Sequence, residues 1–273
     1  MLKRFFKKNR HIKNVHAIFL SSRAFFTFKL VTFIKQMNCF LSDLKSFKAQ
    51  KANSKFKEIK YFPCLFDNLS HTPLEPTYFF QDSWAAKHIF ALKPAHHYDV
   101  GSSAKTMGII SQFTPVTMID IRPIELQLPN LHFKEGSILE LPLENNAIDC
   151  ISSLCVIEHI GLGRYGDPLD AYGSEKAIKE LKRVLKEGGI LLFSVPVDDA
   201  NKIYFNAHRA FTRDYILDLF KGFSILDEKY HYGMKLYDFY DPSKGFGTGL
   251  YMMKKDSLNK TQAADSENKI ISP

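Results

Sequence analysis

The chain has 273 residues, with 37 Lys and Arg against 29 Asp and Glu, and a formal net charge of +8. With 45% hydrophobic and 24% charged residues it can bury a core without disulfide or metal staples, which excludes a wholly disordered chain or a disulfide scaffold. Its four cysteines, Cys39, Cys64, Cys150 and Cys155, make no CxxC pair and no zinc spacing with histidine. They read as reduced thiols of a cytosolic protein, and no metal site is expected.

The charge is unevenly placed. Residues 1–60 hold 15 Lys and Arg against only Asp43 and Glu58, a net +13, while the remaining 213 residues hold 22 bases and 27 acids, a net −5. The chain is thus a basic arm (1–60), an acidic body (61–254) and a polar tail (255–273) expected to be disordered. In the arm, the apolar stretch Val15 to Ile34 is broken by Arg23 and Lys29 and no small-residue cleavage site follows, so the arm is read as retained and not membrane-spanning. From Phe26 the apolar residues Leu30, Phe33, Met37, Leu41, Leu44 and Phe47 recur at helical spacing. That helix either lies on an anionic lipid surface or packs on the body with its lysines in water, and packing is the plainer reading. For residues 1–14 a surface-seeking tail fits better, giving a cytoplasmic protein peripheral to the inner face of the membrane. No nucleic-acid reading motif accompanies the charge, so a nucleic-acid partner is disfavoured.

From residue 96 strand and helix patterns alternate. Strands are expected at 97–100, 116–121, 131–133, 147–154, 190–195, 223–229 and 248–254. Helices are expected at 104–113, at 175–185 with Gly188-Gly189 stopping it, and at 214–220 with Thr212 capping it. Such alternation means an α/β, Rossmann-like fold: a mostly parallel seven-stranded sheet with helices on both faces, plus the helical N-terminal extension. Ligands of such sheets bind at the carboxyl ends of the strands, at the switch point. The first strand-to-helix turn reads D-V-G-S-S-A-K from Asp99 to Lys105, and Asp120 closes the second strand. A glycine there lets a ligand approach the backbone, and a carboxylate at the second strand's end can accept hydrogen bonds from a ribose. The plainer readings are a turn-capping acid for Asp99 and a helix cap for Asp120.

Gly136 to Ile151 reads G-S-I-L-E-L-P-L-E-N-N-A-I-D-C-I, and Lys182 to Gly189 reads K-R-V-L-K-E-G-G before the strand I-L-L-F. In order and spacing these segments resemble the class I S-adenosylmethionine (SAM)-dependent methyltransferases over residues 96–254. Three further segments resemble a bacterial domain-of-unknown-function family of methyltransferase-like proteins: Y-F-F-Q-D-S-W (Tyr78 to Trp84), E-H-I-G-L-G-R-Y-G-D-P (Glu158 to Pro168) and F-N-A-H-R (Phe205 to Arg209). Members are expected in surface-polysaccharide settings. The resemblance implies S-adenosyl-L-methionine as cofactor and a small-molecule or glycan acceptor. It implies that Asp99, Gly101, Ser102 and Ser103 lie against the cofactor's amino-acid part, that Asp120 holds the ribose, and that Ser137 and Ile138 flank the adenine. The second and third glycines usual in the turn are Ser103 and Lys105 here, and the short step from Asp120 to Leu131 leaves no room for a full second helix.

Candidate proton acceptors are Glu158, His159 and His208, each either a base or pocket lining. Arg164, Tyr165, Asp167, Asn206 and Arg209 are candidates for the acceptor. Arg164 would clamp a carboxylate or phosphate or, more plainly, pair with Asp167. Two other readings stand beside the enzyme: a non-catalytic member keeping the fold as a binding or scaffold module, and a nucleic-acid methyltransferase using the basic arm.

Overall fold

The structure, a computed structural model, describes residues 10–50, 55–56 and 58–257, with side chains from residue 30 onward. The tail expected at 255–273 therefore lies, from residue 258, outside the described residues. So do residues 1–9 of the surface-seeking tail. The chain divides into two units, Met1–Pro73 and Leu74–Pro273. The first contains one long helix, α1 (Arg10–Gln50), which takes in the helix expected from Phe26. Among the described residues no helix is long and apolar enough to cross a membrane.

The second unit runs α2 (Pro76–Leu92), β1 (His97–Val100), α3 (Ala104–Ile110), β2 (Val116–Asp120), β3 (Leu131–Glu135), β4 (Ile148–Leu154), α4 (Gly173–Val184), β5 (Leu185–Val197), β6 (Lys202–Tyr204), β7 (His208–Ala210), α5 (Arg213–Leu219), β8 (Phe223–Tyr232), β9 (Lys235–Tyr237) and β10 (Gly247–Lys255). The main sheet has the order β3-β2-β1-β4-β5-β10-β8-β9. β1 to β5 are parallel, while β10 is antiparallel to both β5 and β8. This is the Rossmann-like arrangement expected from the sequence, with a short eighth strand, β9, added at the edge. β6 and β7 form a separate hairpin.

The strand alternation explains why both faces are covered. On one face Val100, Ile119, Ile151, Phe193 and Tyr251 meet Ile178 and Leu181 of α4 and Ile216 of α5. On the other, Met118, Cys150, Leu192 and Leu250 meet Trp84 and Ile89 of α2 and Met107 and Ile110 of α3. Neighbouring residues of one strand serve opposite cores, the period-2 geometry of a strand buried on both sides. Each fully buried large side chain contributes about 1.5–3 kcal/mol.

Two local expectations change. The helix before β5 ends at Val184, not at Gly188-Gly189. Leu185 already pairs with Ile148, and pairing resumes at Ile190 with Cys150, so Lys186 to Gly189 bulge from the ladder. Gly188 takes a positive φ of 76° within that bulge. The segment Tyr78 to Trp84, outside the helices expected from the sequence, is part of α2, started by Pro76 at its first turn and by the Glu75 carboxylate, which accepts the Tyr78 N–H at 2.8 Å.

Candidate active site

Strand order reverses between β1 and β4, and there a cleft of about 300 Å³ opens at the carboxyl ends of the strands. Gly101 follows β1, Asp120 ends β2, Ser137 and Ile138 follow β3, and Cys155 and Val156 follow β4; all line it, together with His159, Tyr165 and Asp167. Gly101 has φ 72°, and a Cβ there would stand 2.9 Å from Cγ1 of Val156. The turn that brings the chain past Val156 therefore needs glycine.

Asp99 is placed differently from expectation. It is fully buried and does not line the cleft. Its carboxylate accepts the Ser102 N–H at 3.1 Å and the Ser152 hydroxyl at 2.5 Å. Behind Ser152, His97 Nε2 lies 2.9 Å from the hydroxyl, and His97 Nδ1 lies 3.3 Å from the Cys150 thiol. One assignment satisfies every group: thiol to Nδ1, Nε2–H to hydroxyl, hydroxyl to carboxylate. Burial depresses His97 to about 3, so the ring is neutral, and burial raises Asp99 to about 6. Asp99 shapes the turn from below rather than touching a cofactor. Ser102 is likewise structural, its Oγ accepting the Leu154 N–H at 2.9 Å. Ser103 sits at the start of α3 and Lys105 is exposed, and neither lines the cleft.

Asp120 lies where expected, with a partner the sequence reading missed. Arg122 donates from Nε at 3.2 Å and from Nη2 at 3.3 Å to its two carboxylate oxygens. The Arg122 guanidinium also lies 5.0 Å from the centre of the Tyr165 ring, and Arg164 lies 5.2 Å from the same ring. Tyr165 is thus held by two cations at the cleft mouth. Asp167 turns to the backbone, accepting the Gly161 N–H at 2.5 Å and the Tyr165 N–H at 3.3 Å. Arg164 instead donates to the Ala207 carbonyl at 3.0 Å, which replaces the expected pair with Asp167.

That carbonyl also receives Nδ1–H of His159 at 2.6 Å. Desolvation, with Arg164 adding to it, depresses His159 to about 4. The ring is neutral at pH 7, with its Nε2 lone pair unused by Ala207. Glu158 lies beneath, 2% exposed, with Oε1 3.7 Å from His159 Nε2 and Oε2 without a partner. Burial raises Glu158 to about 8. With the imidazole and the carboxyl both uncharged at neutral pH, the 3.7 Å contact is no ion pair. Glu158 does not line the cleft and can act on it only through His159. Burial, reinforced by Glu158, pushes the Cys155 thiol well up, so it is no thiolate nucleophile.

The remaining candidates fall outside the cleft. His208 packs its ring between Tyr204, at 5.1 Å, and Phe246, at 5.2 Å, in an aromatic cluster that explains its position without proton chemistry. Asn206 is exposed at the tip of the β6–β7 hairpin. Arg209 is buried, and its guanidinium is spent on the carbonyls of Ile160 (2.5 Å), Asp170 (2.9 Å) and Ala171 (3.3 Å) and the hydroxyl of Ser174 (3.2 Å). It clamps the 160–171 loop and does not line the cleft. Among the described residues no cluster of His, Cys, Asp and Glu could hold a metal ion.

The donor set suits a nucleoside. Ile119, Ile138 and Val156 offer apolar walls for a flat ring, and Asp120 offers a carboxylate for a diol. An amino-acid moiety near Gly101 would meet backbone groups of the turn, since Asp99 is sealed away.

A family model described as "Caenorhabditis protein of unknown function, DUF268" matches residues 140–238. That description does not name the bacterial, glycan-linked setting expected from the sequence. No protein of curated function matches the chain. Three solved structures are similar to it, two of them described as methyltransferases. N-methyltransferase NodS from Bradyrhizobium japonicum WM9, in complex with S-adenosyl-L-homocysteine, is 15% identical over 78% of this chain and 98% of its own, with a TM-score of 0.49. The 1,6-didemethyltoxoflavin-N1-methyltransferase of Burkholderia thailandensis, with S-adenosylhomocysteine bound, is 15% identical over 69% and 94%, with a TM-score of 0.45. The [4+2]-cyclase SpnF is 17% identical over 64% and 80%, with a TM-score of 0.46.

Proposed function

We propose that the cleft binds S-adenosyl-L-methionine and that the Leu74–Pro273 unit is a SAM-dependent methyltransferase. One observation carries the reading: at the switch point, Asp120 at the end of β2 and Ser137 and Ile138 after β3 line one cleft opposite the glycine turn of β1. Asp120 would hold the ribose hydroxyls, sharing its oxygens with Arg122, and Ile119, Ile138 and Val156 would enclose the adenine. The cofactor supplies an electrophilic methyl group, and the protein's work is then alignment and removal of a proton. His159, with Nδ1–H held by Ala207, would take at Nε2 the proton of a hydroxyl or amine acceptor. Tyr165, held between Arg122 and Arg164, would close the mouth against water. A small or carbohydrate-linked acceptor in surface-glycan metabolism follows from the motif resemblance and from no contact in the cleft.

A second reading has its own support. Asp99 is sealed from the cleft, and Ser103 and Lys105 stand in place of glycines, which suits a module that keeps the fold without turnover. Isothermal titration with S-adenosylhomocysteine separates the outcomes. Binding that falls on Asp120→Ala supports the cofactor site, and no binding by folded protein overturns it. Binding without methyl transfer to any glycan or lipid-linked extract favours the module. The methyl transfer itself is checked by mass spectrometry of cellular glycans with and without the protein, where the enzyme predicts loss of a 14-dalton increment, about the mass of one methylene.

A further inference from the structure

We infer that α1 is an interfacial anchor whose apolar face docks on an anionic lipid bilayer. The inference is independent of what the cleft binds. At 100° per residue, Leu30, Phe33, Met37, Phe40, Leu44 and Phe47 fall on one side of the helix, within an arc of about 140° that Ile34 and Leu41 share. The opposite side carries Thr32, Lys35, Cys39, Ser42, Asp43 and Ser46. Leu30, Phe33, Ile34, Leu41 and Phe47 are each at least 43% exposed. Met37, Phe40 and Leu44 between them are half-buried, and a stripe with so many exposed apolar side chains marks an interaction surface.

Charge decides the occupant. Residues 1–60 carry a net +13, and α1 itself has seven Lys and Arg against one acid, Asp43. Lys29 and Lys45 border the stripe, where long side chains can lie along apolar surface and reach outward to headgroups. Lys48, at its C-terminal end, reaches back to Tyr61, donating to the phenol oxygen at 3.1 Å. A nucleic acid would satisfy the lysines and leave the phenylalanines in water. A second copy would satisfy the phenylalanines and bring two arms of +13 together. An anionic bilayer satisfies both, taking the aromatic side chains to the acyl boundary and the lysines to phosphate. The helix would lie along the surface, since the same turns that carry the stripe carry Lys35, Asp43 and Lys45.

The test uses the full chain and flotation with vesicles of phosphatidylcholine alone or with roughly 30 mol % phosphatidylserine. The protein should float with the anionic vesicles at about 0.1 M salt, and be released at about 0.5 M salt or with neutral vesicles. Phe33→Ser with Phe47→Ser should weaken anionic-vesicle binding roughly tenfold. Lys29→Glu with Lys45→Glu should also weaken it and leave the apolar stripe intact, which decides the matter if the phenylalanine variant loses its helix. Absence of flotation by folded full-length protein overturns the inference, as does retention of the phenylalanine variant at wild-type affinity. A dimer by light scattering that the phenylalanine variant abolishes, with no vesicle binding, assigns the face to a second copy and overturns it too. Binding to RNA in preference to vesicles has the same effect.

Discussion

Glu158→Gln should make the protein more stable in alkaline solution, and the size of the effect follows from burial. The carboxyl lies beneath the cleft with one oxygen unpartnered, and it ionises near 8 in the folded chain against an ordinary value of 4.5. Between those values the folded state keeps a proton that the unfolded state has released, so the stability contributed by the neutral carboxyl is complete below about pH 4.5 and falls as pH rises toward 8. At about 1.4 kcal/mol for each pH unit, the full loss is about 5 kcal/mol, of which about 2 kcal/mol falls between pH 6 and pH 8, where ionisation of the folded chain begins to flatten the slope. Glutamine has nearly the same shape, can accept from the Cys155 thiol, and does not ionise. Asp99 and His97 also titrate abnormally, but neither touches Glu158, so their contributions cancel in the difference between wild type and variant. Urea unfolding at steps from about pH 6 to about pH 9 should show the wild type losing about 3 kcal/mol relative to the variant. A difference that stays flat over that range would mean an ionised or hydrated Glu158, and the account of a neutral Glu158–His159 pair would fail with it.

Asp120→Ala should reduce S-adenosylhomocysteine affinity by about 2 kcal/mol, roughly thirtyfold, through loss of charge-assisted hydrogen bonds; titration calorimetry checks this, and unchanged affinity refutes the ribose assignment. Arg209→Met should destabilise the Leu74–Pro273 unit by about 3–5 kcal/mol, because it strands three carbonyls the guanidinium now satisfies. Hydrogen exchange should then quicken first in the 160–171 loop, and Arg209→Lys should recover part of the loss. Gly101→Ala should cost about 1–3 kcal/mol from its positive φ and the approach to Val156, measurable as a lowered unfolding midpoint.

The sheet was legible because its strands are apolar runs bounded by glycine and polar turns, and because the two acids, Asp99 and Asp120, punctuate β1 and β2 at the spacing a switch-point cleft needs. Gly101, Asp120, Ser137, Ile138, His159, Tyr165 and Asp167 do line that cleft. What the sequence hid was direction. Arg209 and Arg164 belong to similar polar segments, yet one guanidinium is buried among the carbonyls of the 160–171 loop and the other spans the Ala207 carbonyl and the Tyr165 ring. Residue type cannot distinguish these. Asp99 reads the same whether it faces a ligand or a serine from β4, and the Ser152 that claims it lies on a strand whose pairing with β1 is a long-range fact. Arg122 went unremarked because an arginine two residues past an acid is common, and only the position of Tyr165 gives it a second role. The helix of Pro76–Leu92 carries a start signal in the sequence, a proline after a capping glutamate.

The hairpin of β6 and β7 holds the Nδ1–H of His159 with a main-chain atom, the Ala207 carbonyl. A proton held by the main chain is insulated from side-chain replacement. Residues at the hairpin tip, such as Phe205 and Asn206, can be exchanged and the contour beside the imidazole reshaped, while the nitrogen that keeps its hydrogen stays the same. Selection could thus vary what the mouth of the cleft admits without re-tuning the ring behind it.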